Sequence, residues 1–134
     1  MESENHKHSE VTEKIIKCFY KVYNYLGYGF LEKVYERAMW LELRKQFKNV
    51  RAQQAIEVFY ENERVGEYFA DLIIEEKVIV ELKAAENLCE AHEAQLTNYL
   101  RATDMEVGLL LNFGKEPQFK RKAFSNKYKP HIKP

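Results

Sequence analysis

The sequence predicts a single α/β domain in which a mixed β-sheet is flanked by helices. Three observations support this fold class. A length of 134 residues suits one domain with its own core. Apolar residues recur at helical spacing in some segments and form strand-like runs in others. A helical segment also separates the third and fourth strand-like runs, which permits a parallel crossover. The predicted order is α-α-β-β-β-α-β-β.

Helices are predicted where apolar residues recur at three- and four-residue steps. These segments cover residues 11–26, 31–46 and 90–102. Gly27 and Gly29 end the first helix, because glycine commonly terminates helices. Gln95 and Tyr99 lie four residues apart on the third helix, so they share one face.

Strands are predicted from short apolar runs bounded by polar turns. They cover residues 53–60, 65–74, 77–83, 107–113 and 118–124. The turns at 61–64 and 75–76 are short, so the first three strands should form an antiparallel meander. The fourth strand is apolar throughout and should be buried, whereas the fifth is basic and should lie at an edge.

Charged residues interrupt two of the apolar strands. Asp71 lies in the second strand, and Glu81 and Lys83 lie in the third. Side chains alternate along a strand, so Glu81 and Lys83 share a face, and a hairpin turn at 75–77 would bring Asp71 to the same face. Two carboxylates together form a hard oxygen site of the kind that holds Mg²⁺. The alternative is an ordinary Glu/Lys pair on the solvent face of a strand.

The distribution of apolar residues argues against a membrane protein and a secreted protein. No apolar stretch is long enough to span a membrane, and the polar N-terminus does not resemble a signal peptide, so we expect a cytoplasmic protein.

Residues 1–8 are expected to be disordered, 9–125 to form the domain, and 126–134 to form a basic C-terminal tail. Cys18 and Cys89 show no metal-type spacing, so both are interpreted as reduced and structural.

The net charge of zero conceals an asymmetry along the chain. Residues 115–134 carry seven Lys or Arg against one acid, whereas the preceding 114 residues carry 14 basic and 20 acidic groups. A basic segment beside an acidic body suits a phosphate backbone approaching a metal site. The alternative is that these lysines only solubilise the chain.

Four motifs together give the chain a family resemblance. They are Gly29-Phe-Leu-Glu32-Lys-Val-Tyr35, Gly66-Glu-Tyr-Phe-Ala-Asp-Leu72, Val80-Glu-Leu-Lys-Ala84 and His92-Glu-Ala-Gln-Leu-Thr-Asn-Tyr-Leu100. With the predicted element order, they resemble the GxxExxY family of the PD-(D/E)XK nuclease superfamily, over about residues 10–124. The resemblance implies a restriction-endonuclease-like core. Phe69 departs from the pattern, since relatives commonly carry arginine there.

The resemblance also implies roles for individual residues. Asp71 and Glu81 would be metal ligands, with Glu32 as an additional acid from the second helix. Lys83 would orient the attacking water or stabilise the phosphate, and Gln95 and Tyr99 would support the site or contact the phosphate. The implied cofactor is Mg²⁺ or Mn²⁺, and the implied substrate is nucleic acid, DNA more than RNA.

Two functions from different classes remain open at this point. The first is a metal-dependent nuclease that hydrolyses phosphodiester bonds in DNA. The second is a non-catalytic nucleic-acid-binding or adaptor module that keeps the nuclease fold. A homodimer or a protein partner is compatible with either function.

Overall fold

The computed structural model describes residues 7–130. It contains three α-helices, five strands and a short 3-10 helix. The helices are α1 Ser9–Leu26, α2 Glu32–Leu43 and α3 Glu90–Ala102. The strands are β1 Val50–Tyr60, β2 Glu63–Ile74, β3 Val78–Lys83, β4 Val107–Phe113 and β5 Pro117–Ala123, and the 3-10 helix is Asn126–Tyr128. The predicted order of elements is confirmed.

The strands form one five-stranded sheet in the order β1-β2-β3-β4-β5. β3 and β4 run parallel, and the other neighbouring pairs are antiparallel. The crossover from β3 to β4 contains α3, as a parallel connection requires. The predicted mixed sheet flanked by helices is therefore confirmed.

Each face of the sheet packs against helices. On one face, α1 and α2 pack on buried residues of the three central strands, among them Leu72, Val80 and Leu109. On the other face, α3 packs on Ile73, Ile79 and their buried neighbours. β3 and β4 lie at the centre, and β4 is buried along its whole length, as its unbroken apolar run predicts.

The observed boundaries differ from the predicted ones where pairing or packing decides them. β1 begins at Val50 rather than Gln53, because residues 50–52 pair with the buried end of β2. α2 ends at Leu43 rather than Gln46, where Gln46 N–H donates to the Leu43 carbonyl, three residues back, at 2.9 Å.

The two ends of the described chain pack against the domain. Lys7 Nζ lies 2.5 Å from Glu106 Oε1, and the backbone carbonyl of Lys7 accepts a hydrogen bond from the Arg121 side chain. Lys129 is 3% exposed, and its ammonium donates to the carbonyls of Thr103 and Met105 at 2.9 and 2.7 Å. Residues 1–6 and 131–134, on which part of the predicted disordered N-terminus and basic tail falls, lie outside the described residues. The division into 1–8, 9–125 and 126–134 stays a prediction.

Both cysteines are free thiols. Cys18 is a buried residue of α1, whereas Cys89 is exposed at the N-cap of α3. Burial raises the pKa of the Cys18 thiol, which keeps it in the neutral form expected of a core cysteine.

Candidate active site between the second and third strands

β2 and β3 pair over a short stretch and then separate. Leu72 pairs with Val80 and Ile74 with Val78, but the ladder does not continue to Asp71 and Glu81. Instead, each carboxylate accepts a hydrogen bond from the other strand. Asp71 N–H donates to Glu81 Oε2 at 2.7 Å, and Leu82 N–H donates to Asp71 Oδ2 at 2.8 Å. The two predicted carboxylates are therefore brought together at the point where the sheet opens.

Burial raises the pKa values of both carboxyl groups, and the charge of Asp71 raises that of Glu81 further. Glu81 is 4% exposed, and desolvation followed by the charge of Asp71 raises its pKa to about 8. Burial also raises the pKa of Asp71, although hydrogen bonds from Leu82 and Gln53 and the charge of Lys83 act in the opposite direction. Near neutral pH the pair therefore holds a proton that a nearby cation would displace.

The basic and amide groups of the site lie on the α3 side. Lys83 Nζ lies 3.4 Å from Gln95 Oε1, which joins the end of β3 to α3. Tyr99 is 5% exposed, and burial followed by the charges of Glu81 and Asp71 raises its pKa to about 12. Tyr99 therefore keeps its phenolic proton and is a hydrogen-bond donor within electrostatic reach of both carboxylates.

Glu32 lies on the other side of the opening. It lines a cavity of about 340 Å³ together with Lys33, Glu36, Gln53 and Asp71. The charge of Glu32 is among the effects that raise the pKa of Glu81. Within residues 7–130, no three His, Cys, Asp or Glu side chains gather closely enough to hold a metal ion. The role of Glu32 as a ligand stays a prediction.

The residues present nevertheless fit a magnesium-type ion. Mg²⁺ keeps several waters and is commonly bound by one or two carboxylates plus a substrate phosphate. Asp71 and Glu81 supply two carboxylates in one place, and their raised pKa values show that negative charge there is under-compensated. A divalent cation bound by these two carboxylates would compensate their negative charge without a third acidic ligand.

Gln53 is a site residue that the sequence did not reveal. Its side-chain amide donates to Glu36 Oε1 at 2.8 Å and to Asp71 Oδ1 at 3.3 Å, so it ties α2 to the carboxylate on β2. Its backbone φ of 53° lies in the left-handed region, which is strained for a residue with a side chain. Gln53 lies opposite Asp71, where the β1–β2 ladder skips one pair.

Tyr35 supports the loop that leads into α2 and Glu32. Its ring is buried and stacks on Phe113, with centroids 4.2 Å apart. Its hydroxyl donates to the Gly27 carbonyl at 2.7 Å and accepts from Phe30 N–H at 3.2 Å. The tyrosine of the Gly29–Tyr35 motif therefore holds the turn between α1 and α2 in place.

Asn112 fixes the chain that follows Lys83. It is fully buried, and its side-chain amide exchanges two hydrogen bonds with the Ala85 backbone, at 2.9 and 3.0 Å. A Cβ at Gly114 would approach the Ala85 carbonyl oxygen to 2.5 Å, so glycine is required for this close contact. The segment between β3 and α3 is thereby held against the end of β4.

Several cations of the basic segment are engaged within the fold. Lys122 forms an ion pair with Glu93 at 2.6 Å, which lowers the pKa of Glu93. Arg121 binds the Lys7 carbonyl, and Lys129 is buried. Lys115, Lys120 and Lys127 are exposed. The positive charge that this segment presents to solvent is therefore smaller than its composition suggests.

Comparison with known proteins agrees with the fold. A family model described as the PD-(D/E)XK nuclease superfamily matches residues 9–122. The crystal structure of SSO0001 is similar, with a TM-score of 0.53 and 17% sequence identity over 69% of this chain and 50% of that chain. The chain thus spans about half the length of that protein, and the likeness concerns the fold alone. No curated protein matches the chain in sequence.

Proposed function

Because the chain belongs to the PD-(D/E)XK nuclease superfamily, we propose that it is a metal-dependent nuclease that hydrolyses phosphodiester bonds in DNA. Nucleases of this superfamily generally use divalent metal ions, and we propose Mg²⁺ or Mn²⁺ as the ion here. No helix in the described part of the chain is long and apolar enough to cross a membrane. The GxxExxY family assignment and the cytoplasmic location remain parts of this proposal.

One observation carries the proposal. Glu81 is buried and Asp71 is partly buried beside it, with pKa values that burial raises, at the point where the β2–β3 ladder ends. Without a cation such a pair would be costly, because two acids placed together at partly or fully buried positions lose solvation and repel each other. A cation site explains why two acids are retained.

Each side chain has a defined part in this reaction. A divalent ion, when bound, would supply a more acidic water molecule and charge neutralisation for the phosphate. Asp71 and Glu81 would hold that ion, and Glu32 would contribute from α2, directly or through water. The Lys83 ammonium, held near Gln95 at 3.4 Å, would hydrogen-bond the attacking water or the phosphate oxygens. Tyr99, which keeps its proton, would donate to the phosphate or support Gln95.

The proposal is tested by incubating the purified protein with linear, circular and single-stranded DNA in Mg²⁺, Mn²⁺ or EDTA. We expect metal-dependent cleavage of at least one DNA form, and no cleavage by the Asp71→Asn variant. RNA of matched length tests the preference for DNA. If the wild type cuts neither DNA nor RNA with either metal, the nuclease assignment fails, and the non-catalytic binding or adaptor module replaces it.

A further inference from the structure

A groove of about 700 Å³ runs between α3, the outer part of the β1–β2 hairpin and the segment around Tyr128. Its volume falls within the range of about 300–1,000 Å³ typical of small-ligand sites. Five aromatic residues line it: Phe59, Tyr68, Tyr99, Phe124 and Tyr128. Three of these rings are at least half exposed, namely Phe59 at 58%, Tyr68 at 50% and Tyr128 at 64%. Exposed rings concentrated in one concave surface indicate a binding site.

Two accessible cations lie next to rings of the groove. Arg101, which lines the groove, lies 5.8 Å from the centre of the Phe124 ring, and Lys127, next to the lining in sequence, lies 5.0 Å from that of Tyr128. The Lys129 ammonium, 6.0 Å from the Phe124 ring, is already bound by two carbonyls. The described lining carries one acid, Glu57, whose carboxylate lies 3.4 Å from Arg64. Rings next to positive charge suit a base that stacks while its phosphate meets a cation.

The groove borders the candidate active site. Gln95, which binds Lys83, and Tyr99, whose pKa responds to Asp71 and Glu81, both line it. The Tyr68 ring contacts that of Tyr99, with centroids 5.7 Å apart and planes at 44°. A ligand stacked on Tyr68 would therefore lie next to Tyr99, on the side of the groove where Gln95 binds Lys83.

We propose that this groove binds an unpaired nucleotide, whose base stacks on Tyr68 while its phosphate points toward Lys83. The amides of Gln95 and Asn98, which line the groove, both donate and accept hydrogen bonds and suit a base edge. The inference rests on the proposed nuclease function and specifies its substrate as single-stranded DNA or a frayed end. A duplex keeps its bases stacked inside the helix and offers none to the groove.

Two adjacent residues of β2 provide a matched test. Tyr68 and Phe69 are each 50% exposed, but alternation places them on opposite faces of the strand, and Tyr68 alone of the two lines the groove. Binding of a fluorescein-labelled single strand and of the same sequence as a blunt duplex would be measured by fluorescence anisotropy in EDTA. The proteins would be the wild type, Tyr68→Ala, Tyr68→Phe and Phe69→Ala.

We expect Tyr68→Ala to weaken single-strand binding about tenfold, the value of one lost base-aromatic stack. Tyr68→Phe keeps the ring and should bind as the wild type does, and Phe69→Ala should bind equally well. Duplex affinity should be weaker than single-strand affinity and equal in all four proteins. Thermal unfolding monitored by circular dichroism identifies any variant that fails to fold; Tyr68→Leu, which keeps an apolar side chain without a ring, then replaces Tyr68→Ala and should show the same loss.

The outcomes separate this inference from the nuclease proposal. Equal losses in Tyr68→Ala and Phe69→Ala, or unchanged binding in both, would overturn the inference even if the wild type cuts DNA. Tighter binding to the duplex than to the single strand would also overturn it. Binding that depends on Tyr68, in a protein that cuts nothing with either metal, would support the groove and remove the nuclease assignment.

Discussion

The two halves of β2 contrast sharply although they belong to one strand. Leu72, Ile73 and Ile74 pair with β3 by backbone ladder bonds, and each is at most 4% exposed. At Asp71 the ladder stops, and side-chain carboxylates accept the backbone N–H groups instead. Beyond it, Tyr68 and Phe69 are half exposed. One end of β2 therefore packs in the core, and the other end lies at the candidate active site.

This contrast shows how the site is built. Opening a sheet leaves backbone N–H groups without ladder partners, and an unpaired buried donor is costly. Asp71 and Glu81 satisfy these donors, so the opening persists. The carboxylates that could bind an ion are thus also the groups that keep the strands apart. The apolar half of the hairpin supplies the stability that this arrangement lacks.

The largest expected effect is on the stability of the apolar half. Leu72→Ala should lower the free energy of unfolding by about 2–5 kcal/mol, because it removes a fully buried side chain from a packed core. Urea unfolding in EDTA measures it. Val65→Ala, on an exposed part of the same strand, is the control and should change stability by about 0.5 kcal/mol or less. Equal losses of unfolding free energy in both variants would contradict the division of β2 into a buried, stabilising end and an exposed end.

The next effect concerns catalysis at the opening between β2 and β3. Lys83→Ala should slow metal-dependent DNA cleavage by about a hundredfold or more, as expected for a group that acts mainly in the transition state. Its affinity for Mn²⁺ should change little, because the ammonium does not bind the ion. Lys77→Ala, at the exposed hairpin turn, is the charge-matched control. Cleavage at the wild-type rate by Lys83→Ala would remove this lysine from the mechanism.

The buried Glu81 carboxyl should make the free energy of unfolding depend on pH, and this effect can be measured without any substrate. The pKa of Glu81 is about 8 in the folded protein against 4.5 ordinarily, so unfolding within this range releases a proton. The free energy of unfolding of the metal-free protein should therefore fall as pH rises from near 4.5 toward 8. Glu81→Gln keeps an acceptor for Asp71 N–H but does not titrate, so its stability should depend less on pH. Identical pH dependence in both proteins would refute the perturbed pKa.

The smallest effect concerns the link between α2 and the site. Gln53→Ala removes the amide that binds Glu36 and Asp71, and it should weaken Mn²⁺ binding about tenfold, as expected for a residue that orients a ligand. Gln54→Ala, at the neighbouring position, should leave the affinity unchanged. Gln53→Gly should be more stable than Gln53→Ala by about 1 kcal/mol, because glycine relieves the left-handed backbone. Equal stability of the two would show that this backbone is not strained.

Much of the fold and the outline of the site follow from local sequence patterns. Apolar periodicity located the helices and strands, and the placement of α3 between β3 and β4 predicted the parallel pair. Strand alternation, together with the short turn at 75–76, predicted that Asp71 and Glu81 would meet. These inferences succeed because they depend on residues close in sequence.

Other features depend on contacts that no local pattern encodes. Gln53 acts through an unusual backbone conformation and partners 17 and 18 residues away. Lys129 resembles a solvated tail residue in the sequence, but its ammonium is buried against two carbonyls more than 20 residues earlier. The aromatic groove combines β1, β2, α3 and the C-terminal segment, so its rings appear scattered in the sequence.

Calorimetric titration of Mn²⁺ tests the central claim, that Asp71 and Glu81 form a divalent-cation site, most directly. Wild type would be compared with the double variant Asp71→Asn, Glu81→Gln, which keeps the side-chain acceptors but removes both charges. Binding to the wild type and no measurable binding to the folded double variant is the predicted result. Equal affinity in the two proteins, or no binding to the wild type, would contradict the account.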